Sequence, residues 1–215
     1  MEAVRDPWQA HYAQQSGHRW WPNEALVRFV SGKAFGTVVE AGCGNGANLW
    51  LLAEHAKSVL AVDSCVEAIR AAQGYCAHRR VADHVIFSVG SVFSLPAGDG
   101  EADLVVDVMT GQHVEWDANA RLFAEYRRVL RTGGAFFRFG LAPGTTITDS
   151  KLVGPSTYDH VRAFPGVGPV VLPSASQLAS ALQSSGFDVV GTEYQTREYR
   201  DRTLAVYSIT EAIAR

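Results

Sequence analysis

From Val38 to Leu52 the chain reads VVEAGCGNGANLWLL, where one carboxylate and three alternating glycines interrupt an apolar run. Gly42, Gly44 and Gly46 carry no Cβ, so the backbone there can lie against a ligand, and a helix that follows would offer unpaired N–H groups. Asp63 closes the next apolar run, SVLAVDS. Gly42, Gly44 and Ala47 also satisfy the loose G-x-G-x-x-(G/A) pattern of dinucleotide sites, so nicotinamide or flavin binding is one reading. Glu40 points elsewhere. Its charge would repel a pyrophosphate, but it could pair with an ammonium group, directly or through water. Asp63, at a neighbouring strand's tip, could accept both hydroxyl protons of a ribose. A phosphate-free adenosine carrying an ammonium group satisfies all of these features.

The elements that must position these residues follow from periodicity. TVVEAG, SVLAVDS, HVIFSVGS, ADLVVDVM and AFFRFG read as five strands, and ADLVVDVM is apolar enough for a sheet covered on both faces. Between them, helices are expected after Gly46, from about Val66 to Arg79, and along the stripe Leu122, Phe123, Tyr126, Val129 and Leu130, which Gly133 and Gly134 would stop. A helix with Pro22 as its first residue carries Leu26, Val27, Phe29 and Val30. Residues 140–173, rich in Gly, Pro, Ser and Thr, read as an insertion with little regular structure. Ser174 and Gln177 have capping-box spacing, and Gly186 suits the end of that helix. FDVVGTEY and TLAVYSIT then form a hairpin. Strands alternating with helices imply an α/β fold, a doubly wound sheet with a hairpin at one edge, in one domain spanning 1–215.

The totals narrow the function classes. A chain of 215 residues, 47% hydrophobic and 19% charged, is suited to a folded globular domain. Its net charge of −3 disfavours a general nucleic-acid binder. No run approaches a membrane span, the first residues lack a signal-peptide core, and Cys43, Cys65 and Cys76 form no disulfide framework. A cytoplasmic protein with reduced thiols is expected, with no membrane partner. No histidine or cysteine spacing suggests a metal site.

With Glu40, the alternating glycines and Asp63 in place, the chain resembles the class I SAM-dependent methyltransferases, over about residues 21–210. VVEAGCGNG and VLAVDSC carry the resemblance, supported by FSVGSVFSLP, ADLVVDV and RVLRTGGAFF. It implies a Rossmann-like doubly wound seven-stranded sheet with a C-terminal antiparallel hairpin. It also implies S-adenosylmethionine (SAM) as cofactor, with S-adenosylhomocysteine as product. Glu40 and the backbone of Gly42, Cys43, Gly44, Asn45 and Gly46 should hold the methionine end. Asp63 should bind the ribose, with Ser64 beside the adenosine. Gly90, Ser91 and Val92 should bracket the adenine, although many relatives carry an acid at the position of Ser91. Asp107, Val108 and Met109 should lie beside the sulfonium.

Methyl transfer is an in-line displacement, so aligning the acceptor and excluding water are the main tasks. His113 in MTGQHVEW, just after the fourth strand, is the expected base, with Asp107 as the second catalytic candidate. In the small-molecule branch of the family the N-terminal arm covers the cofactor. By that likeness residues 1–21, with Trp8, Tyr12, His18 and Trp21, form a lid and pocket, and Tyr158 and His160 belong to the covering insertion. Arg138 and Arg162 are candidates for an acidic substrate. Where nucleic-acid amino methyltransferases carry (N/D)PP(Y/F), this chain reads DVMT. A small, largely apolar acceptor methylated on oxygen or nitrogen is therefore expected. The alternative is a SAM-fold enzyme that catalyses a non-methylating step such as a cyclisation in natural-product biosynthesis.

Overall fold

The computed structural model describes residues 8, 9, 12, 21–145, 151–152, 161–164, 168–198 and 204–215, with only the backbone at 151–152, 161–164 and 168–169. Strands β1 (Phe35–Ala41), β2 (Ala56–Asp63), β3 (Val85–Val89), β4 (Ala102–Val108) and β5 (Leu130–Leu141) pair in parallel. Strands β9 (Phe187–Glu198) and β10 (Leu204–Ala214) add the antiparallel hairpin, giving the order β3-β2-β1-β4-β5-β10-β9. The seven-stranded α/β sheet expected from the sequence is therefore present. The order reverses between β1 and β4, which makes the crevice beyond their carboxyl ends the natural ligand site.

Helices cover both faces because side chains alternate along each strand. Val38, Leu104, Val106, Phe137 and Phe139 pack with α1 (Glu24–Val30), α2 (Leu49–His55) and α3 (Val66–Arg79). Val39, Val105 and Phe136 pack instead with α4 (Asn119–Val129) and α5 (Ala175–Ser184). The capping box of α5 is formed: Ser174 Oγ accepts from Gln177 N–H, and the Gln177 side chain returns the bond to Ser174 N–H. Replacing Ser174 by Ala is expected to cost about 1 kcal/mol, read from urea unfolding.

Three expectations change. The first helix begins at Glu24, because Asn23 caps it by accepting from Leu26 N–H, and Pro22 lies outside. Helix α4 ends at Val129, and β5 starts at Leu130 ahead of the two glycines, which are accommodated within the strand. Part of the 140–173 segment is regular. Strands β6 (Lys151–Leu152), β7 (Val161–Phe164) and β8 (Gly168–Val171) form a small antiparallel sheet. Strands of two to four residues are too short to show an alternating pattern through a Gly- and Pro-rich composition. Val170, Leu172, Leu141 and Ala205 form a minor core there, against which Met109 and Tyr207 pack. This anchors the insertion beside the end of β4.

Candidate functional site

The glycine loop joins β1 to α2. Gly42, Gly44 and Gly46 all have positive φ, at 73°, 53° and 82°, a region costly for side-chain-bearing residues. Each also meets a close neighbour: a Cβ at Gly42 would overlap the Thr110 side chain, and one at Gly44 would lie 2.6 Å from Tyr12 Oη. Gly42 and Cys43 N–H groups donate to Val62 O, tying the loop to β2. Asp63 Oδ2 accepts from Gly44 N–H at 2.9 Å and Oδ1 from Cys65 N–H at 2.9 Å. One carboxylate thus braces both the loop and the entry to α3.

Glu40 is 1% exposed. Its Oε1 accepts from Asn48 Nδ2 at 2.7 Å, and Asn48 Oδ1 accepts from Asn23 N–H at 2.8 Å. That backbone donor orients the amide, so an N–H group must face Glu40. Oε2 is buried with no hydrogen-bond partner among the described residues. Burial raises the carboxyl from its ordinary 4.5 to about 8, Asn48 opposes the shift, and Asp63 adds to it. A buried carboxyl oxygen without a donor matches an ammonium-bearing ligand, whose positive charge would draw Glu40 to its ionised form, so the residues fit SAM. Cys43 is buried inside the loop, and desolvation pushes its thiol up, away from reactivity.

A cavity of about 310 Å³ opens at the switch point. Its floor is Gly42, Asp63, Ser64, Gly90, Ser91 and Val92, and its far wall is Val108, Met109 and His113. Trp8 and Tyr12 line it from the arm; their rings stack at 6.1 Å, and Trp8 meets His113 edge-on at 4.8 Å. Burial and the nearby Asp63 hold the Tyr12 phenol protonated. The structure thus brings these sequence-predicted residues around one space. Phe93, Thr110 and Val114 also line it and escaped the sequence reading. Thr110 had a usable signal, since it lies two positions beyond the end of β4; its Oγ1 donates to Gly42 O at 3.2 Å, joining the two loops. The Ser91 hydroxyl accepts from Phe93 N–H at 3.2 Å.

Several predicted residues stand elsewhere. Asp107 is 1% exposed and does not line the cavity. It lies on the same face of β4 as Val105, so it points toward α4. It accepts there from Thr110 N–H, Gly111 N–H and Tyr126 O–H. Burial raises its carboxyl, against the lowering field of Arg138. Arg138, the register partner of Asp107 on β5, is itself buried and donates to Ser208 Oγ, which removes it from any substrate surface. Trp21 is 72% exposed with the Arg79 guanidinium over its ring, and it does not line this cavity. Of the predicted methionine-end residues only Gly42 lines the cavity; Glu40, Cys43, Gly44, Asn45 and Gly46 lie behind it, and Gly46 packs on Ala72 of α3. His18, Tyr158 and His160 lie outside the described residues, as does the Arg162 side chain. No group of three or more His, Cys, Asp or Glu among the described residues could hold a metal ion. Among them, no helix is long and apolar enough to cross a membrane.

Residues 38–134 match the family model described as a methyltransferase domain. A 2-heptyl-1-hydroxyquinolin-4(1H)-one methyltransferase of Mycobacteroides abscessus is 31% identical over 49% of this chain and 42% of its own length. A "probable S-adenosylmethionine-dependent methyltransferase" of Mycolicibacterium smegmatis is 30% identical over 72% of this chain and 53% of its own. The chain therefore spans about half the length of these curated relatives. A SAM-dependent methyltransferase structure from Methanosarcina mazei superposes with a TM-score of 0.69 at 18% identity, covering 90% of this chain and 98% of the other. Loop, carboxylates, strand order and relatives agree: residues 38–134 are a methyltransferase domain, and the chain has the fold of the class I SAM-dependent methyltransferases, whose cofactor is S-adenosylmethionine.

Proposed function

We propose that this chain transfers a methyl group from SAM to an oxygen or nitrogen of a small, largely apolar metabolite. The observation that carries this is the buried, half-satisfied Glu40 behind a glycine loop that Asp63 braces from the adjoining strand. In this reading Glu40 Oε2 receives the ammonium group, and loop N–H groups hold the rest of the methionine end. Asp63 serves the ribose, and Gly90, Ser91, Val92 and Phe93 enclose the adenine. The sulfonium supplies a methyl group already activated for in-line displacement. The protein's share is then alignment and exclusion of water. Trp8, Met109, Val114 and His113 shape the acceptor's side of the cavity. No Lys or Arg lines the cavity among the described residues, which suits a neutral or weakly acidic aromatic better than a phosphorylated one. The hydroxyquinolone relative makes hydroxylated heteroaromatics the first acceptor class to test. All three cysteines are free and buried, in keeping with a reducing compartment such as the cytoplasm.

Calorimetry with SAM, S-adenosylhomocysteine and NAD(P) tests the cofactor, and binding of NAD(P) without SAM overturns the proposal. Incubation with SAM and an acceptor panel should yield S-adenosylhomocysteine and a product heavier by one methylene unit. A converted acceptor of unchanged mass, without S-adenosylhomocysteine, would favour the cyclisation reading.

A further inference from the structure

Gln112 and His113 are neighbours in the short turn Gly111–His113 after β4. His113 lines the cavity, whereas Gln112 is 3% exposed. Gln112 Oε1 accepts from Leu141 N–H at 2.9 Å, and its Nε2 lies 3.3 Å from His113 Nε2. The chemistry of the two contacts is asymmetric. A backbone N–H can only donate, so the carbonyl of the Gln112 amide must face Leu141. Turning the amide over would set two donors against each other in a buried place, leaving both unsatisfied. The NH₂ group is therefore the one that meets the histidine, and it too can only donate. His113 Nε2 must supply the lone pair, which puts the ring proton on Nδ1.

We propose that Gln112 is a positioning residue that holds His113 as its Nδ1–H tautomer, so that the ring serves the acceptor as a hydrogen-bond donor and not as a proton-accepting base at Nε2. This departs from the role that its location alone suggested. It deepens the methyltransferase reading and rests on it for the acceptor. The substrate class that suits a donor is one whose accepting oxygen is already ionised before transfer: an acidic phenol, an enol or an N-hydroxy heterocycle. For such a group the oxygen lone pair forms the C–O bond while the C–S electron pair returns to sulfur. No proton has to leave in that step, so no base is required.

The tautomer is directly observable. Two-bond proton–nitrogen NMR of the full chain labelled with ¹⁵N-histidine, recorded where the ring is neutral, should show His113 with a protonated Nδ1 and an unprotonated Nε2. Histidine free in water favours the reverse. In Gln112→Ala the pattern should move toward Nε2–H. In Gln112→Glu it should invert, because the carboxylate accepts from Nε2–H while still accepting from Leu141 N–H. An Nε2–H pattern in the native chain overturns the proposal, as does a Gln112→Ala spectrum unchanged from the native one. If the variants fail to fold, the native spectrum alone decides. Failure to bind SAM in calorimetry would sink the methyl-donor reading and leave the tautomer result standing, so the two failures are distinguishable.

Discussion

Asp107→Ala is expected to lower the unfolding free energy by several kcal/mol, at about 1–3 kcal/mol for each buried donor left without its acceptor. The loss comes from several groups at once. Thr110 N–H, Gly111 N–H and Tyr126 O–H each lose their acceptor. The Arg138 guanidinium, whose charged form burial already disfavours, loses the carboxylate that offsets that burial. The same change frees the Thr110–His113 turn, so affinity for any acceptor should fall even in protein that remains folded. Guanidinium unfolding monitored by far-UV circular dichroism gives the stability change. Tyr126→Phe, which deletes only the hydroxyl, should cost less. Arg138→Met combined with Asp107→Ala should cost less than the sum of the two single changes, since both act on one buried cluster. Additive effects would show that the two charges do not interact.

The second large effect concerns Glu40→Gln. If Glu40 receives the ammonium group of SAM, loss of that charge-assisted bond, worth about 1.5–3 kcal/mol, should weaken SAM about 10- to 150-fold. The unliganded protein should respond in the opposite sense at alkaline pH. Because the folded carboxyl titrates near 8 and the unfolded one near 4.5, the folded state holds the proton across that interval. Its contribution to stability is full below 4.5 and is lost as the pH rises through 8. Glutamine, neutral throughout, escapes that loss. The variant should therefore melt higher than the native chain above pH 8 and about the same near 4.5. SAM should also stabilise the native chain more than the variant. Equal SAM affinity in the two proteins would remove Glu40 from the cofactor site.

The strand and helix pattern, the hairpin and the capping box at Ser174 were legible because each is written in local periodicity or in residue types that satisfy backbone groups within a turn. The glycine loop was legible for the same reason, since positive φ at three alternating positions leaves few residue types able to stand there. Asp107 was partly legible. Alternation along β4 sets Val105 and Asp107 on one face and Leu104 and Val106 on the other, which already aims the carboxylate at a covering helix. What alternation cannot say is that Tyr126, 19 positions on, and Arg138 on the next strand meet it there.

By itself, the sequence determined the strand-and-helix frame and the chemical identity of the loop that faces the cofactor, because those depend on neighbours within a few residues. Only the tertiary structure decided which side chains share the cavity. Phe93 and Thr110 enter it from separate strand ends, Trp21 turns away onto Arg79, and the amide of Gln112 takes its orientation from Leu141 N–H across the fold. Contacts of this kind join residues far apart in the chain, and their directions are set by packing between elements, which local periodicity does not encode.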